Sequence, residues 1–401
     1  MGWHKKTKYL RQGRIGQRPN FTQTKQKEFR QQLNFNYVLD SIFTLNLNNT
    51  FRYGYLNPKD DTANAYAGKN LYNYPGNLLT TITGLTLETR LMDDKLLFST
   101  ALKHYYNKVD GYNTNIYLRT IPDKVNNKAS AFGYNAGVRY NFTKALMVKA
   151  SHERTLRFPS NAELFGDGIL ITPSILLKPE IAYNNSVGLV YDKTNANGKR
   201  LQIEANTFYM DVSNLIQLAG GGLTIGYVNF AKATIYGADA EVKYDFTKEL
   251  YASANITWQK VTDANKYTPG TQNVPNPTYK LDIPNTPQLF ANWNVEYTKE
   301  NLFAPKSSTK ILYEGSYCRQ YNYGFKISQY DHFVIPQFIT HNISIEQSFT
   351  NKRYIIAAEA NNFTDERVIN NFNQPLPGRT FRVKLRYLLL YKKHDTVNNE
   401  N

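Results

Sequence analysis

A single cysteine, Cys318, stands among the 401 residues, which excludes an internal disulfide framework and any cysteine-based metal site. Histidine is nearly as scarce. The six, His4, His104, His152, His332, His341 and His394, are scattered, and His152-Glu153 lacks the second histidine at helical spacing that a zinc protease needs. Asp60-Asp61 and Asp93-Asp94 read as turn carboxylates rather than calcium ligands, since neither lies in a ligand-dense loop. The stretch "LAGGGLTIG" (218–226) has no P-loop lysine and leads from one strand into another, as a glycine-rich hairpin loop does. No catalytic residue, metal site or cofactor is therefore expected, and the chain does not read as an enzyme. Long apolar runs are missing too: none approaches the ~18 to 20 residues of a transmembrane helix. After Met1 there is positive charge but no apolar stretch of the ~7 to 15 residues that a secretory signal requires, so no export signal is expected in the chain as written.

Aromatic residues are plentiful instead. Tyr (31) and Phe (22) dominate a 14% aromatic content, yet the mean hydropathy is −0.54. That combination suits strands that show one face to water and the other to something apolar. The formal charge is +16 and uneven: residues 1–30 hold nine basic residues against one acid, Glu28. Such an arm can meet nucleic acid, anionic lipid or lipopolysaccharide, or be a solvated tail. A nucleic-acid reading rests on the arm alone and is not adopted.

Alternation with a period of two recurs from residue 27 to the end, placing alternate side chains on opposite faces. Phe132, Tyr134, Ala136, Val138, Tyr140 and Phe142 oppose Gly133, Asn135, Gly137, Arg139 and Asn141. Tyr236, Ala238, Ala240, Val242, Tyr244 and Phe246 oppose Gly237, Asp239, Glu241, Lys243 and Asp245. The same holds in 250–259, 287–297 and 380–389. About fifteen strands are expected, beginning at 27–39 and 42–56 and ending at 353–363 and 378–390, many of ~10 residues or more. Tilted strands of ~9 to 11 residues cross a membrane, whereas strands of soluble proteins cluster near 5 to 6 residues. Tight turns (Asp40-Ser41, Met92 to Lys95, Thr143 to Ala145, Lys193 to Gly198, Thr247 to Glu249, Thr350 to Arg353) mostly alternate with long polar connections near 57–77, 109–128, 157–181, 263–285, 323–336 and 364–377. This is the pattern of a transmembrane antiparallel β-barrel with turns at one end and loops at the other. Since such single-chain barrels have even strand numbers, an odd total implies a miscount or missing strands.

Three groups of residues resemble one family. "ERTLRFPSNAELFGDG" (153–168), with Pro159, Glu163 and Leu164, followed by the Leu-x-Pro-Glu element containing Pro179 and Glu180, forms the first. A Tyr-x-Asn element precedes an Ala-x-x-x-Gly element with Gly237, which leads on to Glu241. The ending carries Asn362, Asp365, Pro377, Gly378, Arg379 and Phe381. Together they resemble the C-terminal barrel portion of TonB-dependent outer-membrane receptors. The likeness covers residues 130–391 by motif and 27–129 by strand pattern only.

That resemblance implies the barrel part of a receptor taking up a ferric siderophore or similar bulky nutrient across a Gram-negative outer membrane, with cobalamin or an oligosaccharide as the alternative cargo. It implies a barrel of about 22 strands around a plug, of which the chain would be an incomplete portion lacking the plug and not competent for energised transport alone. The TonB complex would engage only through the absent plug, and an upstream chain could supply the plug and first strands. A non-transporting remnant or split-gene half is the other reading. The expected organisation is a basic segment over 1–26 (an outer-loop remnant or disordered arm), the barrel over 27–391 and a polar tail over 392–401. Outer-membrane lipid and lipopolysaccharide are the expected surroundings. Ligand-binding candidates in or near the long loops are Tyr112, Arg119, Arg154, Arg157, Phe165, Tyr267, Tyr321 and Tyr323; the competing reading of such aromatics is an interfacial girdle and loop packing.

Overall fold

The computed structural model describes residues 5–12, 19–60, 74–113, 123–166, 171–221, 224–268, 271, 273–330, 332–371 and 374–389. Along them run β1 (Lys5–Gln12), β2 (Pro19–Val38), β3 (Phe43–Asp60), β4 (Gly76–Leu91), β5 (Leu96–Asn113), β6 (Asp123–Asn141) and β7 (Leu146–Arg157). Then come β8 (Ile171–Thr172), β9 (Glu180–Thr194), β10 (Arg200–Gly221), β11 (Thr224–Asp245), β12 (Leu250–Asp263), β13 (Leu289–Glu300) and β14 (Ser308–Cys318). The series ends with β15 (Tyr321–Asn322), β16 (Val334–Ile335), β17 (Phe338–Phe349), β18 (Tyr354–Asn361), β19 (Ile369–Asn371), β20 (Gln374–Pro375) and β21 (Thr380–Tyr387).

All the long strands join one antiparallel sheet in which each pairs with its neighbours in sequence, from β1 and β2 at one flank to β21 at the other. Among the described residues no pairing joins the two flanks, so the sheet is open. Every one of the fifteen expected strands is present. The first begins at Pro19 rather than residue 27, and its added length pairs with β1 through Lys5↔Gln26 to Gln12↔Pro19. Two departures lie off the main ladder: β8 pairs parallel with β11 through Ile225↔Ile171, and the hairpins β15–β16 and β19–β20 are separate. No helix is long and apolar enough to cross a membrane.

The faces of this sheet are inverted relative to a water-soluble protein. On one side, Phe132, Val187, Leu189, Ile203, Val242, Ile256 and Trp258 are all exposed. Opposite them the alternate residues form an ion-paired wall: Lys103–Glu153 at 2.8 Å, Lys243–Glu241 and Lys310–Glu296 at 2.7 Å, Arg52–Glu28 at 3.1 Å, and contacts of Lys149 with Glu204 and Lys384 with Glu359. Apolar side chains outward and charged pairs inward are what a barrel wall needs between lipid and a wet lumen. Lengths agree: β10 and β11 each run 22 residues, more than a bilayer requires, so their upper parts stand clear of it.

Side chains shape the tight-turn end. Asp40 Oδ1 accepts the N–H groups of Ile42 and Phe43, both at 2.7 Å. Thr143 Oγ1 accepts those of Ala145 and Leu146, and Thr247 Oγ1 those of Glu249 and Leu250. The related stretches "FTKAL" and "FTKEL" thus build the same hydroxyl-capped turn twice.

Candidate functional site

At the opposite end the described parts of two long connections, after β7 and after β12, pack against the wall. Between β7 and β9, Ser160 caps a five-residue helix, Asn161–Phe165, in a reciprocal capping box: Ser160 Oγ accepts the Glu163 N–H, and the Glu163 carboxylate accepts the Ser160 N–H at 2.7 Å. That turn drives Leu164 and Phe165 into a core completed by Ile175 and Leu177 from the same loop and by Leu56, Leu78, Val109 and Ile216 from β3, β4, β5 and β10. Leu78 and Leu164 are fully buried. A slot of glycines makes the approach possible. A methyl group at Gly54 would meet Asn161 at 2.6 Å, and at Gly111 it would meet Ile175 at 2.8 Å and Phe165 at 3.1 Å.

Ion pairs and amides lock this loop. The Arg157 guanidinium bridges Glu180 (2.6 Å from Nε, 2.7 Å from Nη2) and Glu163 (3.0 Å from Nη1). Glu180 Oε1 also accepts the Ile216 N–H. Burial alone would raise the Glu163 carboxyl, but the Arg157 hydrogen bond and charge together with the Ser160 N–H outweigh it and hold it below the usual carboxylate range. Asn229, the Asn of the Tyr-x-Asn element, accepts the Lys178 N–H and donates to the Lys178 and Asn214 carbonyls.

A second core lies across β10, β11 and β12, where Val212, Ala233 and Val261 bury against Ile283 of the β12–β13 loop, with Phe325 of the β15–β16 loop packed on them. The first of these loops is organised around Asp263, whose side chain is inaccessible to solvent. Its Oδ1 accepts the backbone and side-chain N–H groups of Asn265, and its Oδ2 accepts Asn276 Nδ2 (2.7 Å) and Thr278 Oγ1 (2.5 Å). Asn285 donates its backbone N–H to the Asn322 carbonyl, tying this loop to the hairpin β15–β16. The last loop closes on Asn362, which exchanges side-chain hydrogen bonds with the Glu366 backbone (2.7 and 2.9 Å). Asp365 Oδ1 accepts the Arg379 N–H at 2.8 Å, and a methyl group on Gly378 would stand 2.7 Å from that oxygen.

The candidate residues are distributed unevenly over this mouth. Phe165 is 5% exposed in the first core, and Arg157 is taken up by its two carboxylates. Arg154 points to the outer wall, where its guanidinium lies 5.9 Å from the Tyr183 ring centre and donates to the Phe132 carbonyl. Tyr112 packs against Tyr74 at 4.8 Å. Tyr321 and Tyr323 come together on the β15–β16 hairpin, where Tyr323 meets Phe333 edge-on; burial raises the Tyr321 phenol above its usual range. Tyr267 is 52% exposed at the mouth, and Arg119 lies outside the described residues. Tyr330, which was not among these candidates, is 78% exposed. Among the described residues no cluster of three or more His, Cys, Asp or Glu is placed to hold a metal.

A family model described as TonB-dependent receptor-like β-barrel matches residues 3–363. Of solved structures, the copper transporter OprC shares 15% identity with a TM-score of 0.70, over 93% of this chain and 58% of that one. The FrpB iron transporter from Neisseria meningitidis shares 14% with a TM-score of 0.65, over 92% and 56%. The ferric yersiniabactin uptake receptor FyuA from Yersinia pestis shares 14% with a TM-score of 0.64, over 96% and 55%. The chain thus spans a little over half the length of these proteins. No curated protein sequence matches it.

Proposed function

The chain belongs to the TonB-dependent receptor-like β-barrel family, and from that premise we propose that it forms the wall and mouth of a Gram-negative outer-membrane receptor for a ferric siderophore or a similar bulky metal complex. The observation that carries this reading is the mouth itself. Two separate cores and their amide and ion-pair locks fix the loops inward over an ion-paired lumen, yet Tyr267 and Tyr330 stay exposed. Rigid loops that present free aromatic faces suit the capture of a large planar or chelated ligand. Fold neighbours that carry iron, a ferric siderophore and copper support the metal-complex class. Energised import is assigned to the complete receptor, with plug and TonB contact, rather than to these 401 residues.

The test joins the chain to the plug and first barrel strands of a TonB-dependent receptor and expresses the product in a host lacking its own ferric-siderophore receptors. Growth under iron restriction on a ferric siderophore is the expected result. Growth on cobalamin or an oligosaccharide instead would replace the substrate class, and absence of the protein from outer membranes would leave the non-transporting remnant as the reading.

A further inference from the structure

The outer wall carries a feature that ligand uptake does not use. Over β7, β9, β10, β11 and β12 the lipid-side surface sinks into a groove of about 510 Å³ floored by Ala205, Ala238 and Ala240 and walled by Val187, Ile256 and Trp258. Its lining is almost wholly apolar, whereas neighbouring outward positions of the same strands carry large side chains. Along its loop-side rim stand Tyr183, Tyr209 and Tyr236, with Tyr209 directly opposite Tyr236 in the ladder. A cation flanks the row at each side. Arg154 rests against Tyr183 on β7, and Lys260 on β12 lies directly opposite Tyr236, one outward step above Trp258. Asp211, the acid at this rim, accepts the hydroxyl groups of Tyr209 and Thr234.

The dimensions match one leaflet. From Tyr183 at the rim to Leu189 at the foot of the groove is six residues of β9, ~20 Å along the strand and ~14 Å in depth at a tilt of about 45°, and a leaflet's hydrocarbon is about 15 Å deep. A molecule with its head at the rim would therefore lay an apolar chain down the groove. Lys260, level with the tyrosine row and next to Trp258, favours a negative head.

We propose that this groove binds one acyl chain of an anionic, phosphate-bearing membrane lipid, with Lys260, at the rim beside Trp258, taking the phosphate. The proposal rests on the membrane reading above. Filling the groove excludes mobile lipid from the Ala205–Ala238–Ala240 floor and gives the wall a bound lipid at a fixed place. The Tyr236 hydroxyl, on the residue opposite Lys260, supplies a further donor to the head.

Trp258 makes the site observable, because bromine atoms on an acyl chain quench a tryptophan they touch. The chain folded in detergent micelles is titrated with brominated-chain phosphatidic acid and, separately, with phosphatidylcholine carrying the same chains. Saturable quenching by phosphatidic acid is expected, at a concentration on the order of tenfold below that needed with phosphatidylcholine, and the saturable part should vanish in Trp258→Phe. Lys260→Gln should raise the half-quenching concentration of phosphatidic acid on the order of tenfold, and Ala238→Leu, which fills the floor, should abolish saturation. Equal curves for the two lipids, or curves that neither variant moves, would overturn the proposal while leaving the membrane reading intact. A chain that forms its strands without micelles and shows no quenching by either lipid would remove both.

Discussion

A methyl group placed on Gly76 of β4 would stand 2.1 Å from Cε1 of Phe165, so the aromatic ring occupies the space that any other residue would claim. Gly76→Val should therefore expel the capped helix from its slot. Overpacking costs about 1–3 kcal/mol, and the loop's core with Leu56, Leu78 and Val109 would open by that amount. Ile175, 2% exposed, reports the change: an Ile175→Cys reporter should react with a maleimide on the order of tenfold faster beside Gly76→Val than beside glycine. An unchanged rate would show that the ring has another place to go.

Arg157 holds two carboxylates from separate segments, and among the described residues neither has another cationic partner. Arg157→Ala should release both the Ser160 helix and the start of β9, a local loss of about 1–3 kcal/mol, toward the lower end because the guanidinium is 46% exposed. Arg157→Lys should recover only part, as one ammonium cannot fork to both. The Glu163 carboxyl lies below its unfolded value of 4.5, so its contribution is present above pH 4.5 and is lost as the pH falls through the lower folded value. Maleimide reactivity at Ile175→Cys, divided at each pH by that of the same thiol in the denatured chain to remove the thiolate's own pH dependence, should thus stay flat down to pH 4.5 and rise below it, and Glu163→Gln should flatten that rise.

The wall was legible in the sequence because period-two alternation is a direct consequence of strand geometry: the parity sets around Phe132, Tyr236, Trp258 and Phe381 are the outward faces of β6, β11, β12 and β21. The turns were legible for the same local reason, through Asp40, Thr143 and Thr247. The mouth was less so. Phe165 and Arg157 read as ligand candidates because exposure of a loop side chain depends on where the loop folds, and here the deciding partners, Gly54, Gly76 and Gly111, lie far away along the chain. The motif that holds Ser160, Glu163 and Glu180 was visible, but its role as a lock appears only when β10 brings the Ile216 N–H to Glu180. The outward direction of Arg154 follows from its parity with His152 and Ala150 and could have been read from the strand.

Asp365 and Arg379 link the two ends of the last long loop, and Gly378 leaves room for the carboxylate. Asp365→Ala should free the loop from the start of β21, while Gly378→Ala should push the carboxylate away and give the same outcome through an added atom rather than a lost one. Each should cost about 1–2 kcal/mol. Amide hydrogen exchange at Arg379 should accelerate in both. Slow exchange in Gly378→Ala would mean that the carboxylate can shift without losing its backbone bond.

The Asp263 carboxylate is the sharpest test of loop rigidity, because it is fully buried and its acceptors are met by neutral donors alone. Asp263→Ala strands those donors, and each buried unsatisfied group costs about 1–3 kcal/mol. Asp263→Asn, isosteric, should be nearly as harmful: a carboxamide must turn an NH₂ toward either the Asn265 donors or Asn276 Nδ2, and donor then faces donor. Only Thr278 can adapt, by rotating its hydroxyl. The loop would then open to water rather than stay folded with unpaired groups. Trypsin cleavage after Lys266 and Lys280, which lie in this loop, measures the result: both variants should be cut on the order of tenfold faster than the parent, with the rest of the wall intact. If Asp263→Asn resisted cleavage as the parent does, the loop would be held by Ile283 and the Asn285 to Asn322 bond rather than by this carboxylate.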